Sequence, residues 1–581
     1  MYVLGVHLGH DAGAALIRDG VVLAAADEER FAGIKHYAGL PMHAAEFCLR
    51  QAGIRAGEVD CVAVASDTVV PEMEFLLGFA PKQPGGSVRL RAATAVRRRL
   101  GLPAQHPPLY REPLGIRPDA EVRFVEHHLA HAASAYYTSG HTGKTLIITA
   151  DGIGDRTSTA VWSAEDGRIR NLMRVGGEGS VGWFYGLVTE ALGWWVGDGE
   201  WKTMGLAPYG DARTAAGALD AWIPRYRDGR LERGVNFGAP RFWRERGTYH
   251  WHFRDAAAVR AVVERVGRQN AAAEAQRLVE EEMGGFVEAW LRREGVRQGC
   301  FAGGVFLNVK LNQRVWEMGV LDRQHIFPAA GDSGLCVGAA LLASHELAGT
   351  GVGRLDSLYW GPAFPDEEIE EALRTRKLRY ARHEDDLPER CAELLSRGAI
   401  VGWFQGRMEF GPRALGSRSI LMDPRDARNK EIVNAAVKYR EPFRPFCPSM
   451  LADALPAYCR DARPEPFMIT SFRVREERAG EIPAVVHVDG TLRPQGVERE
   501  TNPRYWRLIR RFEELTGVPV VMNTSFNVRG MPVVCTPADA VKCFFDTGLD
   551  YLAIGSFLLA KDGVSPGLAP FPPPQPARGR E

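Results

Sequence analysis

The same pattern of secondary structure is predicted twice in the chain, about 140 residues apart. Each copy has an apolar strand, a loop of small and acidic residues, a second strand, an Asp-Gly turn and a third strand. Asp-Gly between apolar runs is a strong hairpin signal. The copies comprise residues 2–6, 7–13, 14–17, 19–20 and 21–26, and residues 145–150, 151–157, 158–163, 166–167 and 168–175. The repetition predicts two similar half-domains, each presenting backbone N–H groups that can cradle phosphate in a shared cleft.

The charge balance, the apolar runs and the cysteine spacing limit the classes of protein to which the chain can belong. The 581 residues include 72 basic and 72 acidic side chains, which argues against binding nucleic acid or an anionic membrane through bulk positive charge. The N-terminal apolar run carries His and Asp and is not a signal peptide, and no run of about 18 apolar residues occurs. The nine cysteines are widely spaced without a C-x-x-C pair, which favours a reducing compartment. We therefore predict a cytoplasmic protein without a nucleic-acid or membrane partner.

Glycine and proline content suggests where domains end. The Gly-rich segment 349–362 is the candidate linker between two α/β domains, predicted at 1–355 and 365–562. The first contains the duplicated half-domains, and the second begins a new α/β pattern. Residues 563–581 are rich in proline and glycine, and we predict a disordered tail there.

A candidate metal site comes from the first domain. Residues 126–137 are predicted to form a helix that places His127 and His131 on one face. Two imidazoles so spaced can bind one divalent metal ion, although a histidine can also cap a helix or hydrogen-bond in a core. Asp151 and Asp332 each follow a predicted strand, and strand ends are where ligand sites form in α/β proteins. The four residues predict a His₂Asp₂ site for iron, manganese or zinc, and the sequence does not choose among these metals.

Two further segments suggest phosphate and nucleotide binding. In residues 302–312 (AGGVFLNVKLN), Gly303 and Gly304 allow close backbone approach, and Asn308 and Asn312 can read a base or ribose. A tight turn before a helix is the structural alternative. In the second domain, a basic loop follows the strand predicted at 400–404. That loop, residues 406–419, contains Arg407, Arg413 and Arg418 among glycines, and Lys438, Arg440 and Arg444 follow in a later segment with Pro and Phe. They predict a concave site for a small phosphorylated ligand.

These motifs resemble, in family order, those of the O-carbamoyltransferases of the nodulation and antibiotic type (NodU/CmcH type). The motifs are LGHDAGAAL, HHLAHAASAYYTSG, ADGIGD, KTMGLAPYGD, AGGVFLNVKLN, GDSGLCVGAAL, GRMEFGPRALGSRSIL, KYREPFRPFCPSM and NTSFNVRGMPVV, which span residues 8–534. The resemblance implies an actin-like ATPase-fold N-terminal domain and a YrdC-like C-terminal domain. It implies that carbamoyl phosphate and ATP, with Mg²⁺, give carbamoyl-adenylate and pyrophosphate. It also implies transfer of the carbamoyl group to a hydroxyl of a sugar or natural product, beside Fe²⁺ or another divalent metal.

The resemblance also implies roles for individual residues. The metal ligands would be His127, His131, Asp151 and Asp332. The site for carbamoyl phosphate and ATP would comprise Arg413, Arg418, Lys438, Arg444, Arg493 and Asn523. His10 would lie near the reacting centre, where it is the candidate general base, and Asp11 would be a second catalytic residue. Lys202 is a further catalytic candidate, which we expect, independently of the resemblance, to contact the adenylate phosphate. Gly303, Gly304, Asn308 and Asn312 are expected to contact the adenylate.

The acceptor, a small hydroxyl compound, is not identified by the sequence, and a homodimer is left open. One aromatic cluster can be either core or a wall of the acceptor site: Trp183, Phe184, Tyr185, Trp194, Trp195 and Trp201. An actin-fold sugar kinase would share the phosphate loops but leaves the histidine pair and the basic C-terminal loop unexplained. A tRNA threonylcarbamoylation factor is disfavoured by the neutral charge. An ATP-gated scaffold is the non-enzyme alternative, and it would modify no small acceptor.

Overall fold

A computed structural model describes residues 1–66, 108–227, 229–232 and 240–561 of the chain. These residues form two compact units. The described residues of Met1–Pro362, with Phe410–Pro412 and Ile469–Ser471, make the first unit. The second unit comprises Ala363–Glu409, Arg413–Met468 and the described residues from Phe472 onward. The tail predicted at 563–581 lies outside the described residues.

The first unit begins with a five-stranded sheet in the strand order β3-β2-β1-β4-β5. The strands are β1 Tyr2–His7, β2 Gly13–Arg18, β3 Val21–Asp27, β4 Cys61–Val64 and β5 Glu121–Phe124. The pairs β1–β2 and β2–β3 are antiparallel, and β1–β4 and β4–β5 are parallel. Asp19 and Gly20 both have positive φ, 49° and 82°, as a two-residue hairpin turn between β2 and β3 requires.

A second five-stranded sheet repeats this arrangement, in the order β14-β13-β6-β7-β8. The strands are β6 Thr145–Gly154, β7 Thr157–Glu165, β8 Arg168–Gly176, β13 Gln298–Ala302 and β14 Arg323–Ile326. The pairs β6–β7 and β7–β8 are antiparallel, and β6–β13 and β13–β14 are parallel. Asp166 and Gly167 form the same positive-φ turn, with φ of 50° and 80°. The shared strand order and direction confirm the predicted duplication.

Two helices connect the sheets into one core. Helix Leu335–Ala348 packs against β1 and β2, helix His127–Tyr137 packs against β6 and β13, and the helices pack on each other. The buried cluster around them includes side chains from both sheets. The other helices of the unit are Glu29–Ala32, Met42–Gln51, Pro108–Arg111, Val181–Ala191, Glu200–Leu206, Ala256–Val266, Arg268–Glu294 and Val309–Glu317. Its short antiparallel ribbons are β9 Arg225–Arg227 with β10 Arg230–Glu232, and β11 Arg241–Glu245 with β12 Thr248–His252.

Gly338 lies where the two central helices cross closely. A Cβ atom at this position would lie 1.9 Å from the carbonyl oxygen of Ala130. In an open helix, Gly→Ala stabilises by about 0.5–1 kcal/mol, but forcing an atom into a packed contact costs about 1–3 kcal/mol. We expect the cost of the steric overlap to exceed the gain from replacing glycine, so that Gly338→Ala lowers the Tm of the first unit in thermal unfolding. Gly284→Ala is the matched control, because a Cβ there meets only ordinary contacts at 3.7 Å. Equal stability of the two variants would contradict this account.

The second unit is built on an eight-stranded mixed sheet in the order β15-β24-β23-β16-β17-β22-β18-β21. The strands of the unit are β15 Ala381–Arg382, β16 Val401–Phe404, β17 Arg418–Met422, β18 Cys447–Leu451, β19 Phe472–Arg473, β20 Thr491–Leu492, β21 Gln495–Val497, β22 Val520–Ser525, β23 Tyr551–Ile554 and β24 Phe557–Ala560. Its helices are Asp366–Thr375, Leu387–Ser396, Asn429–Val433, Leu455–Tyr458, Glu476–Ala479, Pro503–Thr516 and Pro537–Asp546. The inner strands β16, β17 and β18 are buried along their whole length, so the sheet is covered on both faces.

All nine cysteines are buried and free. Across the described ranges, no helix combines the length and the apolar character needed to cross a bilayer.

Candidate functional site

The structure brings the four predicted metal ligands together in the first unit. His127 and His131 project from the helix between the two sheets, and Asp151 lies on β6 where the pairing with β7 is interrupted after Ala150. Asp332 lies in the turn that precedes helix Leu335–Ala348. One ligand atom from each residue lies within 4.8 Å of the others.

The distances among the ligand atoms fit a shared cation. Nε2 of His131 lies 3.1 Å from Nε2 of His127 and 3.1 Å from Oδ2 of Asp151. Oδ1 of Asp332 lies 3.6 Å from each of the two Nε2 atoms. Ligands about 2.1 Å from one metal ion lie about 3 to 3.4 Å apart, close to these separations. The donor set of two imidazoles and two carboxylates suits iron, manganese or zinc.

The charges in this group also favour a bound cation. Burial alone would raise the pKa of Asp151, but the hydrogen bonds and charges of His127 and His131 outweigh it and hold that pKa well below its usual range. Burial and the neighbouring charge of Asp151 raise the pKa of Asp332 well above its usual range. The two carboxylates, which are 18% and 19% exposed, therefore need a proton or a metal ion between them.

Backbone contacts fix the ligands in place. The N–H of His127 donates to Oδ2 of Asp155 at 2.9 Å, and the N–H of Gly152 donates to Oδ1 of Asp151 at 2.6 Å. Gly303, with φ of 96°, and Gly304 lie against the same strand. A Cβ at 303 would lie 2.1 Å from the carbonyl oxygen of Ala150, and one at 304 would lie 3.0 Å from Oδ1 of Asp151. The predicted glycine pair thus lies beside Asp151, a candidate metal ligand.

Two histidines link the metal group to the loop after β1. His7, which the sequence analysis did not single out, has Nε2 at 3.8 Å from Oδ2 of Asp332 and 3.1 Å from the carbonyl oxygen of His10. Burial, and then the charge of His127, lower the pKa of His7 to about 3. Nε2 of His10 lies 3.5 Å from Oδ2 of Asp11. His10 is therefore linked through His7 to the candidate metal group, and Asp11 lies beside His10.

The two asparagines expected at the adenylate have structural partners instead. Oδ1 of Asn308 accepts the N–H groups of Lys310 and Leu311 and caps helix Val309–Glu317. Asn312 is fully buried, and its Nδ2 donates to the carbonyl oxygens of Phe306 and Ile469 at 2.8 and 2.7 Å. These contacts support the structural alternative given for the segment, and adenylate binding by either residue stays a prediction.

The residues expected around the adenylate phosphate and the acceptor lie in different settings. Lys202 is buried in helix Glu200–Leu206, with Nζ 5.6 Å from the ring centre of Trp201. Phe184 and Tyr185 of the aromatic cluster are buried, whereas Trp195 is 53% exposed and contacts His250 at 4.4 Å between ring centres. The cluster therefore divides between core and surface.

In the second unit, arginines gather around the start of β18. Arg493 donates from Nε and Nη2 to Sγ of Cys447, at 3.1 and 2.8 Å. Burial, and then the charge of Arg493, lower the pKa of Arg413 to about 9. Burial, and then the charge of Arg444, lower the pKa of Arg440 to about 9. Guanidinium groups held this close together repel each other, and an anion bound among them relieves that repulsion.

Asn523 completes this cluster from the neighbouring strand. It lies directly across from Cys447 in the ladder between β18 and β22. Its Nδ2 donates to the carbonyl oxygen of Ala414 at 3.0 Å and to Oγ of Ser449 at 2.9 Å. Its Oδ1 is buried and accepts no hydrogen bond from the part of the chain that the structure describes. A buried oxygen of this kind can accept an N–H of a ligand.

Other basic residues predicted for this site also hold the fold. Arg418 is fully buried, donates to the carbonyl oxygens of Gln405 and Ser417, and lies 3.6 Å over the ring of Phe404. Lys438 donates to Oδ1 of Asn527 at 2.8 Å, which ties it to the loop after β22. Arg444 forms an ion pair with Glu441, with 2.8 Å between Nε and Oε2. Their ligand contacts stay predictions.

Comparison with known proteins identifies the family. Two family models match, "Carbamoyltransferase N-terminus" at residues 2–341 and "Carbamoyltransferase C-terminus" at residues 392–561. The nodulation protein NolNO of Sinorhizobium fredii is 36% identical over 96% of this chain and 80% of its own length. An uncharacterised protein of Synechocystis sp. is 36% identical over 96% of this chain and 97% of its own length.

Solved structures are more distant. The activator of the 2-hydroxyisocaproyl-CoA dehydratase of Clostridium difficile is 13% identical, with a TM-score of 0.32 over 60% of this chain and 95% of its own. The assignment therefore depends on the sequence families, whose two models cover both units in order. The chain belongs to the carbamoyltransferase family.

Proposed function

We propose that this protein is an ATP-dependent O-carbamoyltransferase. Carbamoyl phosphate, ATP and water would give carbamoyl-adenylate, pyrophosphate and inorganic phosphate in the second unit. The first unit would then transfer the carbamoyl group to a hydroxyl of a small acceptor and release AMP. We infer from the duplicated sheets that the first unit has an actin-like ATPase fold, and from the family that the second is YrdC-like.

The arginine cluster with Asn523 carries this proposal. Carbamoyl phosphate has a dianionic end and a neutral amide end. Arg413 and Arg493 supply the charge for the phosphate, and Oδ1 of Asn523 supplies a buried acceptor for the amide N–H. A simple phosphate site would have no use for a buried acceptor that lacks a donor. The pair of features therefore suits carbamoyl phosphate better than inorganic phosphate.

The first unit supplies groups suited to the transfer step. The acceptor oxygen attacks the carbamoyl carbon, the bond from that carbon to the adenylate oxygen breaks, and AMP leaves with the electron pair. The hydroxyl proton must go to a base, and His10 is the candidate beside the metal group. His127, His131, Asp151 and Asp332 would hold Fe²⁺ or another divalent metal, which would supply positive charge to the carbamoyl oxygen or the acceptor hydroxyl.

The acceptor is proposed by class only. Relatives include proteins named for nodulation, such as NolNO and the NolO of Bradyrhizobium diazoefficiens. A sugar or natural-product hydroxyl is the class that the family resemblance implies. The exposed ring of Trp195 beside His250 offers a surface on which such a molecule can stack.

The first test is the activating half-reaction. Purified protein with carbamoyl phosphate, ATP and Mg²⁺, and without acceptor, is expected to form carbamoyl-adenylate and pyrophosphate, detected by mass spectrometry and a pyrophosphate assay. Arg413→Ala should abolish both products because it removes a buried charge from the anion cluster. Arg428→Ala should retain them, because that side chain is 72% exposed and pairs with Asp426. A folded, metal-loaded wild type that forms neither product would refute the proposal and direct a search for a kinase activity.

A further inference from the structure

A second group of charged side chains lies beside the metal group in the first unit. Nδ1 of His36 lies 2.7 Å from Oδ1 of Asp11, and Nε2 of His36 lies 3.3 Å from Oδ1 of Asp198. Lys35 forms a short ion pair with the same oxygen of Asp198. Asp11 is a catalytic residue expected from the sequence, whereas His36 and Asp198, which lie 25 and 187 residues away from it, are not.

The ring of His36 lies against the ring of His10. Their centres are 4.7 Å apart and their planes differ by 22°. The ring of Trp251 also contacts the His10 ring, nearly perpendicular to it, with 4.9 Å between the ring centres. Asp11 and His36 both have left-handed backbone conformations, with φ of 59° and 54°. Left-handed conformations are costly for such residues and are kept where the surroundings hold them, often at functional sites.

These contacts determine the charges of His36 and His10. Burial opposes a charge on His36, but the charge and hydrogen bond of Asp11, with the hydrogen bond of Asp198, outweigh it and raise the pKa of His36 to about 10. Lys35 opposes that increase. Burial lowers the pKa of His10, Asp11 opposes this, and the charge of His36 lowers it further. At neutral pH, a cationic His36 therefore lies against a neutral His10.

We propose that His36 is a positioning residue for His10: its two ring nitrogens hold Asp11 and Asp198, and its ring supports the His10 ring in the orientation for proton transfer. This inference rests on the proposed transfer function of the unit. Oδ2 of Asp11 lies 3.5 Å from Nε2 of His10, so its charge favours the tautomer with the proton on Nε2 and leaves Nδ1 to accept a proton. Nδ1 of His10 is buried and has no hydrogen-bond partner among the described residues, as expected of an atom that a substrate completes.

In the proposed transfer step, the acceptor oxygen forms a bond to the carbamoyl carbon, and the bond from that carbon to the adenylate oxygen breaks. The hydroxyl proton moves to Nδ1 of His10, and AMP takes the electron pair. His36 neither gains nor loses a proton. It also maintains the neutral form of His10 that can act as a base.

The test compares His36→Gln with His36→Arg in the full-length protein. Glutamine removes the charge, whereas the planar guanidinium of arginine keeps a charge, N–H donors and a face that can stack. Release of AMP from carbamoyl-adenylate made in situ, with water as the acceptor, reports the transfer step. We expect His36→Gln to lower kcat about 10- to 100-fold with little change in KM, and His36→Arg to recover most of it.

The pH dependence separates positioning from a purely structural role. Without the His36 charge, the pKa of His10 should rise. The acidic limb of the rate profile, where His10 becomes protonated and cannot accept a proton, should then move to higher pH by about one unit. Other groups that act on His10 are Asp11, Asp151 and Glu29, and these are unchanged in the variants. NMR titration of histidine-labelled protein measures the same shift without any acceptor.

Controls keep this result distinct from failure of the proposed function. His43→Gln should match wild type, because that side chain is 63% exposed and contacts Glu28 instead. Pyrophosphate formation and metal content should be unchanged in both His36 variants. If wild type forms no pyrophosphate, the proposed function fails first. The inference itself is overturned if His36→Gln keeps the wild-type kcat and His10 titration, if His36→Arg is as impaired as His36→Gln, or if His36→Gln lowers the metal content.

Discussion

Replacing His131 by alanine is expected to empty the metal centre and stop carbamoyl transfer. His131 is fully buried, and its Nε2 lies 3.1 Å from both Nε2 of His127 and Oδ2 of Asp151. Loss of a residue that only supports a ligand costs about 10- to 100-fold in metal affinity, and loss of a ligand should cost more. Metal analysis after gel filtration in the presence of a chelator should find the wild type loaded and the variant empty. AMP release should fall by at least about 100-fold.

His128→Gln is the matched control for His131→Ala. His128 is equally buried in the same helix, but its nitrogens contact Oγ1 of Thr149 and the carbonyl oxygen of Thr157, both at 2.9 Å. Its loss should lower the Tm without removing the metal. Pyrophosphate formation should persist in both variants because we propose that it takes place in the second unit. Equal metal loss in the two variants would mean that fold stability, and not ligation, determines metal binding.

Local patterns predicted the repeated strand arrangement of the first unit and the residues that the structure brings together as candidate metal ligands. Asp19-Gly20 and Asp166-Gly167 encode tight turns in their own residue types, so each three-stranded unit could be placed without long-range information. His127 and His131 share a helix face by spacing alone. Asp332 could be assigned to the same predicted metal site because the parallel strands of one sheet bring their following loops to one edge. This is a property of the α/β fold and not of this particular chain.

Side-chain partners distant in sequence could not be predicted in this way. Asn312 donates to the carbonyl oxygen of Ile469, 157 residues away, and that contact gives it a structural role. His36 contacts Asp198 across 162 residues. Cys447 and Asn523 face each other only because β18 and β22 pair in one register. Composition and spacing do not predict such long-range contacts, so residue types alone do not distinguish residues that bind a ligand from residues that stabilise the fold.

Replacing Arg493 by alanine is expected to raise KM for carbamoyl phosphate about 100-fold. Its Nε and Nη2 point together at Sγ of Cys447, in the fork geometry that suits two oxygens of one phosphate. Each hydrogen bond to a charged group is worth about 1.5–3 kcal/mol, so the loss of two costs about 3 kcal/mol or more, equivalent to about 100-fold. Initial rates of pyrophosphate formation against carbamoyl phosphate concentration measure this change. Inorganic phosphate should inhibit the variant less strongly than the wild type.

Arg493→Lys distinguishes charge from geometry at this position. Lysine keeps the positive charge but offers a point donor in place of the planar fork. If bidentate binding matters, KM should lie between those of wild type and Arg493→Ala, and if charge alone matters it should lie near wild type. Arg428→Ala, which removes an exposed arginine of the same unit, should leave KM unchanged. A wild-type KM in Arg493→Ala would show that the anion binds elsewhere, because this substitution removes both guanidinium donors.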